Sequence, residues 1–118
     1  MVGVVGNDFG EEQLQRLRSR DIDLEGLQID ESGPTFFWKG KYHENFNRRD
    51  TLDIQLNVFE HFRPDLPEGY RNSPYVLLGN IHPALQAHVL DQLNGDSHVL
   101  ADTIDLWIAT ERESLLSL

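Results

Sequence analysis

Hydrophobic residues in this chain follow two repeating patterns, and their order predicts an α/β fold. Three short apolar runs typical of buried strands lie at residues 2–5, 75–78 and 98–101. Two further stretches carry apolar side chains at helical spacing, residues 9–18 and 83–93. A strand, a helix and a return to an extended segment occur twice, as in parallel β-α-β units. We therefore predict a mostly parallel sheet in which the first strand pairs with those near Val76 and Val99.

Polar residues mark the ends of these elements. Gly6-Asn7-Asp8 forms the turn after the first strand, and Asp8 is expected to cap the following helix. His82-Pro83 begins the later helix, because proline is favoured in a first turn. Thr110 and Glu113, three residues apart, match a capping box and predict a last helix at the end of the chain.

Residues 34–57 form a different kind of segment, which predicts an antiparallel hairpin. Aromatic and β-branched residues lie on both sides of Lys39-Gly40, where we place the turn. A parallel sheet needs no such insertion, so the hairpin is interpreted as a flap over a ligand crevice. Residues 51–62 are open to two interpretations, since the first half alternates like a strand and the second half has helical spacing.

The amino-acid composition argues against several classes of protein. The chain has 118 residues, 39% of them hydrophobic and 25% charged, as in an ordinary globular domain. A net charge of −10 argues against binding to nucleic acid or to an anionic membrane surface. The chain has no cysteine, which fits a reducing compartment, and no apolar run is long enough to span a membrane. We therefore expect a cytoplasmic protein.

Four polar residues follow strand ends or their turns, where ligands lie in an open α/β sheet: Asp8, Asn80, Asp102 and Asp105. For Asn80, a ligand contact and a loop hydrogen bond are both open. Asp102 is assigned to ligand, with a cap of the next turn as the alternative. The five histidines form no close pair, so no metal site is assigned.

The order of these motifs resembles the N-terminal and middle part of a ribokinase-like (PfkB) carbohydrate kinase. The residues that carry the resemblance occur along nearly the whole chain, at 5–10 (VGNDFG), 21–27 (DIDLEGL), 34–36 (PTF), 78–80 (LGN) and 102–108 (DTIDLWI). Asp105 departs from the pattern, because relatives often have asparagine there, and a further negative charge would repel phosphate.

The resemblance implies a partial three-layer α/β/α domain over residues 1–118, with residues 34–57 as its lid. It implies a kinase that uses ATP and Mg²⁺ to phosphorylate a hydroxyl of a sugar or nucleoside. The catalytic base and the ATP-binding part are expected beyond Leu118, so the chain alone should be inactive. The expected substrate-binding residues are Asn80, Asp102, Phe37 and Asp105.

The hairpin leaves a second hypothesis open, a non-catalytic α/β module that binds a ligand or a partner. Its aromatic residues would stack on a sugar ring or form a homodimer through the lid: Phe36, Phe37, Trp38 and Tyr42. Its basic residues would steer ATP or lie on a solvated face, and the second role is favoured: Lys39, Lys41, Arg48 and Arg49.

Overall fold

The computed structural model of the protein describes residues 1–118. The chain folds into two compact units, residues 1–62 and residues 63–118. The first unit contains β1 (Val2–Gly6), α1 (Glu11–Arg18), β2 (Gly26–Asp30), β3 (Phe37–Tyr42), β4 (Arg49–Gln55) and a 3₁₀ helix (Asn57–His61). The second contains a 3₁₀ turn (Glu68–Tyr70), β5 (Tyr75–Leu78), α2 (Pro83–Leu90), β6 (His98–Ala101), α3 (Asp105–Thr110) and α4 (Arg112–Leu116).

The first unit begins with the expected β-α-β arrangement. Strands β1 and β2 run parallel, and their register joins Val2 to Gly26 and Gly6 to Asp30. Helix α1 connects them and begins at Glu11, two residues later than expected. The core of this unit consists of four buried side chains from β1, α1 and the segment after β4: Val5, Leu14, Val58 and Phe62.

The hairpin forms from strands β3 and β4, but its turn is not where the sequence places it. Lys39-Gly40 lies inside β3, and the chain reverses over residues 43–48 instead. The register shifts between Lys39 and Gly40, which marks a β-bulge. A Cβ at Gly40 would overlap the indole ring of Trp38. The glycine therefore serves close packing beside a bulge, and the prediction of a turn there was wrong.

The second unit matches the sequence pattern closely in its strands. Strands β5 and β6 have the expected limits and pair in parallel, with Tyr75 opposite His98 and Leu78 opposite Ala101. Helix α2 begins at Pro83, and His82 is its N-cap as expected. Its apolar spacing predicts a buried stripe of Leu85, Val89, Leu90 and Leu93, but of these only Val89 is buried, and Pro83 and Gln86 are buried beside it.

The expected continuous sheet is not formed. The six strands make three separate two-stranded sheets, β1 with β2, β3 with β4 and β5 with β6. The predicted pairing of the first strand with the strands near Val76 and Val99 was therefore wrong. Each parallel strand pairs with the next strand in its own β-α-β unit, as short connections favour. The α/β class with an antiparallel hairpin is nevertheless confirmed.

The last expected helix is also different. Thr110 is the final residue of α3, where its Oγ1 donates to the Leu106 carbonyl at 2.9 Å. The next helix begins after Glu111, so Thr110 and Glu113 do not form a capping box. The segment divides into two short helices. None of the helices has the length and apolar character needed to cross a bilayer.

Candidate substrate site

The strongest candidate site lies at the carboxyl end of strands β5 and β6. The two strands are in register up to Leu78 and Ala101, so the segments that follow them emerge at one edge. These segments carry the residues that we call the strand-end site, namely Asn80, Asp102, Asp105 and Trp107. Three of the four were expected from the sequence. Ligands of α/β sheets bind at such an edge.

A hydrogen bond between side chains fixes the position of Asn80. The indole Nε1 of Trp107 donates to Asn80 Oδ1 at 2.9 Å. This contact replaces the backbone hydrogen bond considered from the sequence. Because only the oxygen of the amide is used, the exposed Asn80 Nδ2 group remains able to donate to a ligand oxygen.

His82 supports the other side of Trp107. The two ring centroids lie 5.1 Å apart at an angle of 61°, an edge-to-face contact. His82 Nδ1 accepts a hydrogen bond from the Ala84 backbone N–H at 3.2 Å, which caps α2. A neutral ring then carries its proton on Nε2, which lies 3.6 Å from Glu111 Oε1. These contacts hold Trp107 beside Asn80.

The two aspartates make the strand-end site anionic. Asp102 and Asp105 are both exposed, and neither carboxylate has a hydrogen bond or an ion pair with the protein. Asp105 is the first residue of α3, whose N-cap is Ile104. The alternative role of Asp102 as a side-chain cap is therefore not observed. Free carboxylates beside an amide donor suit a neutral ligand with several hydroxyl groups, since hydroxyls donate to carboxylates.

Phe37 belongs to the first unit, where it begins strand β3 and is 46% exposed. Strand alternation places it on the same face as Lys39 and Lys41. Those lysines lie opposite Asp53 and Asp50 in the register. The pairing of opposite charges agrees with a solvated face for this part of the hairpin.

Trp38 and Tyr42 lie on the other face of β3, with ring centroids 6.5 Å apart. Tyr42 also approaches Phe46 at 6.3 Å. All three side chains are exposed, and Phe46 reaches 77%. We call Trp38, Tyr42 and Phe46 the aromatic face of the hairpin.

Asp8 does not cap α1, contrary to the expectation from the sequence. The N-cap is Gly10, with no side-chain hydrogen bond. Asp8 Oδ1 instead accepts from the Thr35 N–H at 2.7 Å and the Thr35 Oγ1 at 2.6 Å. Thr35 Oγ1 also accepts from the Gly6 N–H at 2.9 Å, and the Asn57 amide donates to the Thr35 carbonyl at 2.9 Å. We call this cluster the Thr35 anchor.

The Thr35 anchor holds the hairpin where it leaves and rejoins the first unit. Thr35 precedes β3 and Asn57 follows β4, so one threonine ties both ends of the hairpin to β1. The hydrophobic pattern and the cap motifs do not indicate this role of Thr35. The available signal was Pro34-Thr35 directly after a second turn, since threonine hydroxyls often form hydrogen bonds near turns.

The anchor makes one contribution to stability dependent on pH. The side-chain hydrogen bond from Thr35, followed by its backbone N–H, lowers the pKa of Asp8 below the ordinary value of 3.8. A lowered folded-state pKa stabilises the fold above that value, and the contribution is lost as pH falls through the folded pKa. We expect Asp8→Asn to destabilise the protein at pH 7 and to flatten the decline in stability below about pH 4.

Urea unfolding between pH 7 and pH 3 measures this effect. Thr35→Val removes the hydroxyl that donates to Asp8, so it should flatten the same profile, and the double variant should add little. An Asp8→Asn profile that runs parallel to the wild-type profile throughout this range contradicts the assignment.

The fold resembles a solved structure, the nucleoside kinase of Methanocaldococcus jannaschii, an archaeal member of the ribokinase family. The TM-score is 0.71 with 21% sequence identity, and the match covers 98% of this chain. It covers 38% of the archaeal protein. No family model matches the chain, and neither does any curated protein. The chain therefore has part of a ribokinase-like α/β fold, which confirms the resemblance seen in the sequence.

Proposed function

We propose that this chain forms the substrate-binding part and the lid of a kinase that phosphorylates a hydroxyl of a sugar or nucleoside. The strand-end site is the observation that carries the proposal. In a ribokinase-like fold it combines a free amide donor on Asn80 with the free carboxylate of Asp102. The similar archaeal structure is a nucleoside kinase, which supports ribose hydroxyls as one class of acceptor.

The charge of the site favours a substrate without a phosphate group. Asp102 and Asp105 both carry negative charge in a chain whose net charge is −10. A phosphorylated sugar would bring a further dianion towards them, and like charges at close range repel strongly outside bulk water. We therefore assign a neutral polyhydroxyl substrate to the strand-end site, with Asp105 limiting the entry of anions. Phe37, on the hairpin of the first unit, stays a separate proposal for a substrate-binding residue.

ATP and Mg²⁺ belong to the proposal, but the residues of this chain do not fit a metal site. No group of three His, Asp or Glu side chains could hold a cation. When bound, ATP supplies the phosphoryl group and Mg²⁺ neutralises its charge. We assign no transfer step to these residues and place the base outside residues 1–118. The chain alone should consume no ATP.

Titration of the 118-residue chain with adenosine, D-ribose and D-fructose tests the proposal. We expect saturable binding of at least one of them, detected by calorimetry and by a change in the indole N–H signal of Trp107. Ribose 5-phosphate should bind more weakly than ribose, because of the two aspartates. The absence of binding by all three neutral compounds would overturn the proposal.

The second candidate is a non-catalytic module that binds a partner, and the exposed aromatic face favours it. Exposed aromatic clusters mark many interaction surfaces. Such a module would bind no sugar or nucleoside, so the same titrations separate the two functions. A homodimer through the lid is compatible with either, and sedimentation of wild type and Tyr42→Ser detects it. We propose a cytoplasmic location, and no membrane or nucleic-acid partner.

A further inference from the structure

Gln86 is a fully buried polar side chain, with 0% exposure. It lies in helix α2 between Pro83 and Val89, which are also buried. A buried amide is costly unless hydrogen bonds compensate for the loss of water. Its contacts therefore indicate why an amide occupies a position where the pattern of the helix calls for an apolar residue.

Both N–H groups of the Gln86 side-chain amide donate hydrogen bonds to backbone carbonyls. Nε2 donates to the Gly79 carbonyl at 2.9 Å and to the Asp102 carbonyl at 2.9 Å. These residues come directly after β5 and β6, one step beyond the last pair in register, Leu78 and Ala101. The Asp102 N–H still donates to the Leu78 carbonyl at 2.9 Å. Gln86 thus bridges the two strands where their own pairing ends.

The oxygen of the same amide has no partner. Gln86 Oε1 is buried and accepts no hydrogen bond. A buried unsatisfied acceptor in a folded protein requires an explanation. An apolar side chain of similar size would fill the space without an unpaired oxygen, but it would offer no donors. The two donors of the amide group are therefore the property that the position requires.

We propose that Gln86 is a positioning residue that sets the opening between the Asn80 and Asp102 segments of the strand-end site. One of its bonds holds the residue before Asn80, and the other holds Asp102 itself. Neither bond uses a side chain that would contact a ligand. The consequence for ligand affinity rests on the proposed function, whereas the spacing of the two segments does not.

Gln92 provides a matched control. It lies in the same unit, and its Nε2 also donates to two carbonyls, those of Pro64 at 2.8 Å and His88 at 2.9 Å. Its Oε1 accepts from the Leu66 N–H at 2.8 Å. None of these partners belongs to the strand-end site. Substitution of Gln92 therefore removes comparable bonds to backbone without touching the Asn80 or Asp102 segments.

The experiment compares Gln86→Met and Gln86→Glu with Gln92→Met and Gln92→Glu. Each variant of the full chain carries Trp38→Phe, so that Trp107 is the only indole. The readouts are the Trp107 indole N–H resonance, amide exchange at Asp102 and the Kd for adenosine or D-ribose. We expect both Gln86 variants to shift the resonance, to speed exchange at Asp102 and to weaken binding about tenfold. The Gln92 variants should stay within about twofold of wild-type affinity.

The outcomes separate this inference from the proposed function. A folded Gln86→Met protein with the wild-type resonance, exchange rate and affinity overturns the role of Gln86. If Gln86→Glu does not fold, Gln86→Met decides alone, because it adds no charge to the core. If wild type binds none of the compounds, the proposed function fails. The Trp107 resonance and the exchange rate at Asp102 then decide whether Gln86 sets the spacing of the two segments. Equal effects of Gln86→Met and Gln92→Met on these two readouts would contradict that role.

Discussion

Replacement of Gly6 by alanine is expected to lower the free energy of unfolding by about 3 kcal/mol. A Cβ at this position would overlap the Gly33 carbonyl oxygen and the backbone of Pro34. Both obstacles are main chain, so no side-chain rotation relieves them. The segment that begins the hairpin would have to move away from β1, and the bond from the Gly6 N–H to Thr35 Oγ1 would be lost.

Gly3→Ala is the matched control, because it makes the same change in the same strand. A Cβ at Gly3 would meet only Leu27 Cδ1, at 3.8 Å, which is ordinary van der Waals contact. We expect its stability to stay within about 0.5 kcal/mol of wild type, since alanine also reduces the freedom of the unfolded chain. Urea unfolding at pH 7 measures both variants. Equal stabilities for Gly6→Ala and Gly3→Ala would disprove the close approach of the two segments.

Asn80→Ala should weaken binding of adenosine or D-ribose by about thirtyfold, or about 2 kcal/mol. The variant removes the free Nδ2 donor and also leaves the Trp107 indole N–H without its acceptor. Calorimetric titration of the chain gives the change in Kd directly. Thermal unfolding of the same samples shows that the loss does not arise from unfolding.

Two controls assign this effect to the amide group. Trp107→Phe removes the donor to Asn80 but keeps the asparagine, so its effect should be only a few-fold. Asn94→Ala changes an exposed asparagine in the loop after α2 and should leave the affinity unaltered. An Asn80→Ala protein with wild-type affinity would remove Asn80 from the proposed substrate-binding residues and leave it only as the hydrogen-bond acceptor of Trp107.

Local sequence determined the short strands well. Residues 75–78 and 98–101 are apolar runs bounded by proline, glycine or polar residues, and both strands have those limits. The turn of the hairpin was predicted at the wrong position, because Gly40 lies inside β3 and leaves room for the Trp38 indole. The sequence cannot distinguish a glycine that permits a turn from one that leaves room for a neighbouring indole, since the second depends on packing.

Pairing between strands was the least predictable part of the fold. Whether Val2–Gly6 pairs with Gly26–Asp30 or with Tyr75–Leu78 depends on which segments meet, and hydrophobic pattern does not contain that information. The location of Asn80 and Asp102 was easier to predict, because residues directly after two paired parallel strands lie at the same edge of the sheet. Trp107 was missed as a member, although it lies two residues beyond Asp105.

Two supporting contacts, one in each unit, could not be assigned from sequence. The partnership of Asp8 with Thr35 spans 27 positions, and nothing near Asp8 indicates it. For Gln86 the sequence contains a weak signal. It is a polar residue three positions from each of two apolar residues, Pro83 and Val89, and so lies on the same face of the helix. A polar side chain on an otherwise apolar helix face indicates a specific buried hydrogen bond.

The bulge at Lys39 and Gly40 also affects how the hairpin meets other molecules. Strands with unpaired outer N–H and C=O groups readily add further strands, which leads to aggregation. A bulge increases local twist, and exposed lysine and aspartate place charge along the same edges. We therefore expect the hairpin to resist adding strands from other copies, so that contacts to a second molecule are made by side chains.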